Sequence, residues 1–208
     1  MRNTRYRQAF TLIELLVGLL VTSIILSALA TLAFALSSGS RTGEDTAVRQ
    51  AHLRHTTLHL SELIGKCKLI CAAPGNDVAI WRADDNADNR INLNELVYIE
   101  RGENLDTLRL CQFSSADNPN VTLADLPLAA TKTSQTSTYS PTYLPLMPDC
   151  NNVQFTLDAA PPFSKLFTVS FDLVEDQMVH RYQITAALRC QAAHLLNEAG
   201  SALVRDDD

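Results

Sequence analysis

Several familiar signatures are missing from this chain, and each gap removes a class of function. There is no G-x-S-x-G, no HExxH and no glycine-rich phosphate loop, so the nucleophile elbow, the zincin site and the nucleotide cradle are excluded, and no enzyme activity is expected. There is no surplus of positive charge: 17 Lys and Arg face 23 Asp and Glu, a net of -6, so a nucleic-acid partner is not expected. There is no CxxC and no cysteine with a suitably spaced histidine, which disfavours zinc. No internal repeat is visible. Between Phe10 and Leu36 the chain lacks charge altogether, apart from Glu14.

That apolar run is the first thing present. At about 1.5 Å per residue a helix from Phe10 to Leu36 spans ~40 Å, more than the ~30 Å hydrocarbon core of a bilayer. The run exceeds the ~7–15 apolar residues of a secretory signal. Arg2, Arg5 and Arg7 precede it, which predicts a cytoplasmic amino end and a body outside the cytoplasm. Glu14 is costly in such a helix, by about 2.5–3.5 kcal/mol on insertion scales, and such a group usually has a partner. Arg7 lies two turns back and would snorkel to the headgroups, so the partner is expected in another chain. The alternative is a Glu14 that sits at the interface and stays solvated.

The stretch FTLIELLV behind a short basic leader resembles the class III signal of type IV prepilins and type II secretion pseudopilins. The resemblance covers about Arg7 to Leu36. It implies cleavage by a prepilin peptidase between Ala9 and Phe10, methylation of the new terminus at Phe10, and pairing of Glu14 with the amino terminus of a neighbouring subunit. The family usually has Gly before the cut, where this chain has Ala9. It further implies a pilin-like fold, residence in the inner membrane and partners among other pilin or pseudopilin subunits. A cation and a carboxylate, each costly alone in lipid, would neutralise one another across two chains.

The remaining pattern predicts an α+β protein, a long amino-terminal helix packed on an antiparallel β-sheet. Residues 1–9 read as a leader, 10–36 as a transmembrane and assembly helix, and 37–72 as its amphipathic continuation, with Leu53, Leu60, Ile64, Cys67 and Cys71 on one stripe. His55 and His59 have the i, i+4 spacing of a two-histidine site, but no Glu follows the first and no third ligand is evident, so a solvated polar face is expected. Residues 73–190 read as a β-rich head, with strands at 77–81, 96–100, 107–113, 152–158, 165–174 and 179–188. Turns are expected at Ala73–Asp77, Arg101–Asp106 and Glu175–Met178. The segment 114–148 reads as a long loop with a helical turn near Leu123–Ala130, and 191–208 as a weakly structured tail. The five cysteines, Cys67, Cys71, Cys111, Cys150 and Cys190, are either buried apolar side chains or disulfide partners. The odd count leaves one free or engaged outside the chain. A Cys111–Cys150 bridge would close the long loop.

The stretch DDNADNRINLNE, Asp84 to Glu95, follows the calcium-loop pattern D-x-[DN]-x-[DN]-G-x5-E. Asp84, Asn86 and Asp88 supply alternate side-chain oxygens, Arg90 a carbonyl, Asn92 a direct or water-mediated contact, and Glu95 a bidentate closure. Ca2+ wants six to eight hard oxygens, which such a loop turns inward. Asn89 stands where glycine is usual and tolerates the left-handed conformation. The flanks are strand-like, so the expectation is a calcium loop joining two strands. A polar hairpin loop that binds nothing, or one that takes sodium, is the alternative.

Two functions fit this layout. One is a structural minor pilin or pseudopilin of a type IV pilus or type II secretion filament. The other is a membrane-tethered, calcium-dependent binding module in which Trp81 could touch a ligand.

Overall fold

The computed structural model describes residues 11–73, 77–102, 106–175, 177–190 and 192–204, and within them the side chains outside 38–46 and 192–193. The leader with Ala9 and Phe10 lies outside the described residues. The chain forms two compact units, Met1–Gln50 and Ala51–Asp208. The architecture is α+β. Helix α1 spans Leu12–Lys66, and antiparallel strands follow it.

In the first unit, Leu12–Ser37 is long and apolar enough to cross a membrane, and its large apolar side chains are exposed. The hydroxyls within it are satisfied by the helix itself. Thr22 donates to Gly18 O (2.9 Å), Ser23 to Leu20 O (2.8 Å), Ser27 to Ile24 O (2.9 Å) and Thr31 to Ala28 O (2.8 Å). Back-bonding of this kind removes the desolvation cost of an unpaired hydroxyl in an apolar medium.

In the second unit, the end of α1 buries Leu60 and Ile64 and half-buries Leu53 and Leu63. The buried Thr56 donates to Leu146 O (2.6 Å). The helix stops at Lys66, short of the expected 72. The last turn closes with Cys67 N on Leu63 O (2.9 Å), and Leu69–Ala72 forms strand β1, buried at every residue. A short run buried on both faces satisfies the helical period and the strand period alike, so spacing alone misplaces this boundary.

Strand β1 pairs with β2 (Val78–Trp81), the two joined through residues 74–76, which lie outside the described residues. A two-residue strand β3 (Ile91–Asn92) precedes β4 (Leu96–Arg101), β5 (Leu108–Gln112) and the short β6 (Asn120–Val121). Helix α2 (Ala129–Thr138) and β7 (Thr142–Met147) occupy most of the remainder of 114–148, which is therefore built rather than a loop. The five-stranded sheet has the order β1-β2-β4-β5-β7, antiparallel throughout. Strand β7 is an outer strand, where Pro145 is tolerated because its missing N–H falls on an edge. Helix α2 is rich in Thr and Ser, weak helix formers. Thr133 and Thr136 bond their hydroxyls to Ala129 O and Lys132 O, and Lys132 and Gln135 reach the sheet.

A second, three-stranded sheet holds β8 (Asn151–Leu157), β9 (Leu166–Glu175) and β10 (Met178–Ala187) in the order β10-β9-β8. Along β9, Phe167, Val169, Phe171 and Leu173 alternate into the core. The segment expected to be a loose tail packs instead: Leu196 bridges Leu203 and is buried, and Gly200 (φ 65°) leaves room for the Phe163 ring, which an added Cβ would meet at 2.4 Å.

A charged cluster ties α2 to the five-stranded sheet. Glu100, buried in β4, accepts from Arg109 Nε (2.7 Å) and from Lys132 Nζ, and Lys132 also reaches Asp77 (2.5 Å). Arg109 lies over the Tyr143 ring, 3.9 Å from its centroid. One ammonium serves two carboxylates. Burial therefore raises Asp77 above its ordinary value despite the lysine beside it. Burial alone would lower Lys132, but its hydrogen bonds to Asp77 and Glu100 outweigh this and raise it. Lys132→Met is expected to cost about 3 kcal/mol, because two carboxylates lose their shared cation. The lysine is raised on folding, so this stabilisation is complete below its ordinary value and is lost as pH climbs through the folded one. Urea melts from neutral pH to about pH 12 should show an alkaline loss of stability in the native chain that Lys132→Met lacks.

Candidate functional site

Two places gather the residues singled out by the sequence: the start of α1 and the connection between β2 and β4. At the first, Thr11 N and Thr11 Oγ1 both donate to Glu14 Oε2 (3.1 and 3.0 Å), and Glu14 N faces Thr11 Oγ1 at 3.4 Å. This is a capping box, with threonine at the helix start and glutamate three residues on bonding reciprocally. Thr11-x-x-Glu14 is legible in the sequence and gives Glu14 a local role besides any intersubunit one. No lysine, arginine or histidine follows Glu14 until Arg41, so the run supplies no charge to neutralise it.

At the second, β2 and β4 pair in register, Val78 with Ile99 through Trp81 with Leu96, and residues 82–95 connect them. Both flanks are strands. Ala87 (φ 57°) and Asn89 (φ 56°) are left-handed, which curls the chain. Asp84 accepts from Asp88 N (3.2 Å) and Asn89 N (3.1 Å). Asp88 accepts from Arg90 N (2.8 Å), from Asn86 Nδ2 (3.0 Å) and from Asn92 Nδ2 (3.2 Å). Desolvation, the largest single influence on the Asp88 carboxyl, would raise it, but the hydrogen bonds from Asn92, Arg90 N and Asn86 together outweigh it and hold the group below its ordinary value. Four of the proposed ligands, Asp84, Asn86, Asp88 and Asn92, are thus drawn together, with Arg90 on the same turn.

Glu95 is turned elsewhere. Its side chain is buried, and its oxygens accept from Trp81 Nε1 (3.0 Å), Asp85 N (2.8 Å) and Asn92 N (3.2 Å). Three donors on one carboxylate leave little room for bidentate ligation. Among the described residues, no three His, Cys, Asp or Glu side chains form a metal-binding group. Two acids and two amides share the turn, and Glu95 serves as its structural anchor. Trp81, with 1% exposure, is core and unavailable to a ligand. Lys68 spans the two, over the Trp81 ring at 5.0 Å and 3.4 Å from Asp84 Oδ2. Strand β3 extends the loop by pairing with β6.

The other candidates separate. His55 and His59 stack at 5.7 Å on a largely exposed face of α1. Cys111 and Cys150 are free thiols. Cys150 N bonds Asp106 O, and the near-extended run from Asp106 to Cys111 covers roughly 15 Å at ~3.3 Å per residue, beyond the reach of a disulfide. The long loop that this bridge was expected to close is instead an ordered helix and strand.

Residues 4–30 match the family model of the prokaryotic N-terminal methylation motif. No curated protein and no solved structure matches the chain. With the apolar helix that it runs into, the motif is similar to the amino-terminal segment of type IV pilin-like proteins, and Leu12–Ser37 is long and apolar enough for a single-pass membrane anchor.

Glu95→Gln should destabilise the protein by about 1–3 kcal/mol with chelator present, because an amide NH2 would face donors that now meet a carboxylate oxygen. Denaturant unfolding followed by Trp81 fluorescence measures this. An unchanged midpoint would remove Glu95 from its anchoring role.

Proposed function

We propose that the chain is a minor pilin or pseudopilin, a structural subunit of a type IV pilus or type II secretion filament. A prepilin peptidase cuts between Ala9 and Phe10, and Phe10 becomes the methylated terminus. The helix anchors in the inner membrane with the head outside the cytoplasm, and assembly proceeds with other pilin-like subunits. The observation that carries this reading is Glu14: a carboxylate at the first turn of an apolar helix, inside a methylation motif, with no cation in the rest of the run. Its oxygens stand at the Thr11 amide, one residue from where processing would create an ammonium. Neutralisation of that charge by a neighbour's Glu14 would set the axial offset between subunits.

The capping box gives this reading a sharp test. Glu14→Gln keeps an oxygen for Thr11 N but removes the charge, whereas Glu14→Ala removes both. Both variants should insert in the membrane and be cleaved. If the charge drives assembly, both fail to enter filaments in a shear-fraction assay. Normal incorporation of Glu14→Gln would reduce Glu14 to a helix cap.

The loop from Asp84 to Asn92 is, in the same reading, a Ca2+ site that stiffens the β2–β4 connection. Two carboxylates, two amides and the Arg90 carbonyl would hold the ion, with water completing the shell. Titration of the detergent-solubilised protein with millimolar calcium should release heat and raise the melting temperature, and Asp84→Asn with Asp88→Asn should abolish both effects. A native protein silent on both counts has no calcium site here.

A further inference from the structure

We propose that Cys67 and Cys190 form a disulfide that ties the end of α1 to the chain leaving β10. Cys67 is the first residue past α1, and Cys190 follows β10 by three residues. The two segments cross. The Arg189 side chain lies on Gly65, where an added Cβ would stand 3.4 Å from its Nε. Leu188 N is pinned to Lys165 O (2.8 Å), which fixes the path of the chain up to that crossing.

The thiols divide the same way. Cys190 is exposed, and the other four are buried. Burial pushes Cys111 up to about 12 and Cys150 up to about 11, and it raises Cys71 as well. Burial disfavours the thiolate in all three, and the Cys190 thiol is not among the groups that act on them. Burial likewise pushes Cys67 up to about 12, and the next contributor is the Cys190 thiol, which places the two sulfurs in each other's field. In the reduced state Cys67 Sγ donates weakly to Ile64 O (3.2 Å), a bond that is lost on oxidation.

The chemistry balances through thiol–disulfide exchange. The Cys190 thiolate attacks one sulfur of a donor disulfide, forms a mixed disulfide and releases one donor thiolate. Cys67 then gives up its proton and attacks Cys190 Sγ, closing the Cys67–Cys190 bond and expelling the second donor thiol. Two protein thiols are oxidised and one donor disulfide is reduced. The donor in the cell depends on the reading above that the head lies outside the cytoplasm, in an oxidising compartment.

The test uses the full chain in detergent, reduced, incubated natively with oxidised glutathione, alkylated and digested without reductant. Trypsin cuts after Lys66, Lys68 and Arg189, which leaves Cys67 on the dipeptide Cys67–Lys68, apart from Cys71, and Cys190 on the peptide ending at Arg205. Mass spectrometry should find these two peptides joined, with two hydrogens lost. Cys190→Ser should lose the joined peptide and melt several degrees lower than the native chain under oxidising conditions, but equally under reducing ones. Cys67 recovered alkylated beside a glutathionylated Cys190, or bridged to Cys71, overturns the proposal. The same digest on freshly lysed, alkylated membranes separates the two readings. A bridge that forms with glutathione but is missing there upholds the pairing and overturns the exported head.

Discussion

Strand β4 is buried along almost its whole length, and, Arg101 Nε apart, the buried polar side chains on it are met from other elements. Tyr98 OH finds Gln135 Oε1 at 2.8 Å. Glu100 finds Arg109 and Lys132. Glu95, just before the strand, finds Trp81 and two backbone amides. An unmet polar group in such a place costs several times what a met one contributes. That asymmetry explains why a weak helix such as α2 is ordered, and why the β2–β4 connection is drawn against the sheet instead of hanging free. The periphery of the head is held by what its centre cannot leave unsatisfied.

The amino-terminal unit follows the opposite logic. Its apolar side chains face outward and its few hydroxyls bond inward to their own backbone. Such a surface is stable only in lipid or against similar helices. Glu14 is the exception within it, and the capping box shows how this carboxylate meets an otherwise unpaired amide at the start of the helix.

Much of this was legible in the residues. The apolar run, the charge inside it and the strong alternation of β9 and β10 are long, periodic signals. The paired strands on either side of the acidic loop were also readable, as was the tolerance of Asn89 for a left-handed turn. Much of what the residues hide depends on a partner distant in sequence. Nothing near Thr142–Met147 announces a strand; its pairing with β5 does, and Pro145 masks it. Helix α2 contradicts its own propensities because Lys132 and Gln135 have partners in β2–β4. The end of α1 is ambiguous in the sequence because Leu69–Ala72 suits either period. Glu95 fits the closing position of a calcium loop perfectly well by spacing, yet Trp81, fourteen residues earlier, claims it across the hairpin. The capping box at Thr11 is by contrast a local signal, carried by Thr11-x-x-Glu14 alone.

The inward-bonded hydroxyls of Thr22, Ser23, Ser27 and Thr31 have a consequence for how copies of this helix would meet. With their protons spent on their own carbonyls, they have no donor left for a neighbour, only lone pairs with which to accept a bond from one. Along this stretch, side-by-side helices would be held by the fit of their apolar side chains and not by donated hydroxyl bonds. In a bundle, the stretch from Thr22 to Thr31 would leave register to be set elsewhere on the helix.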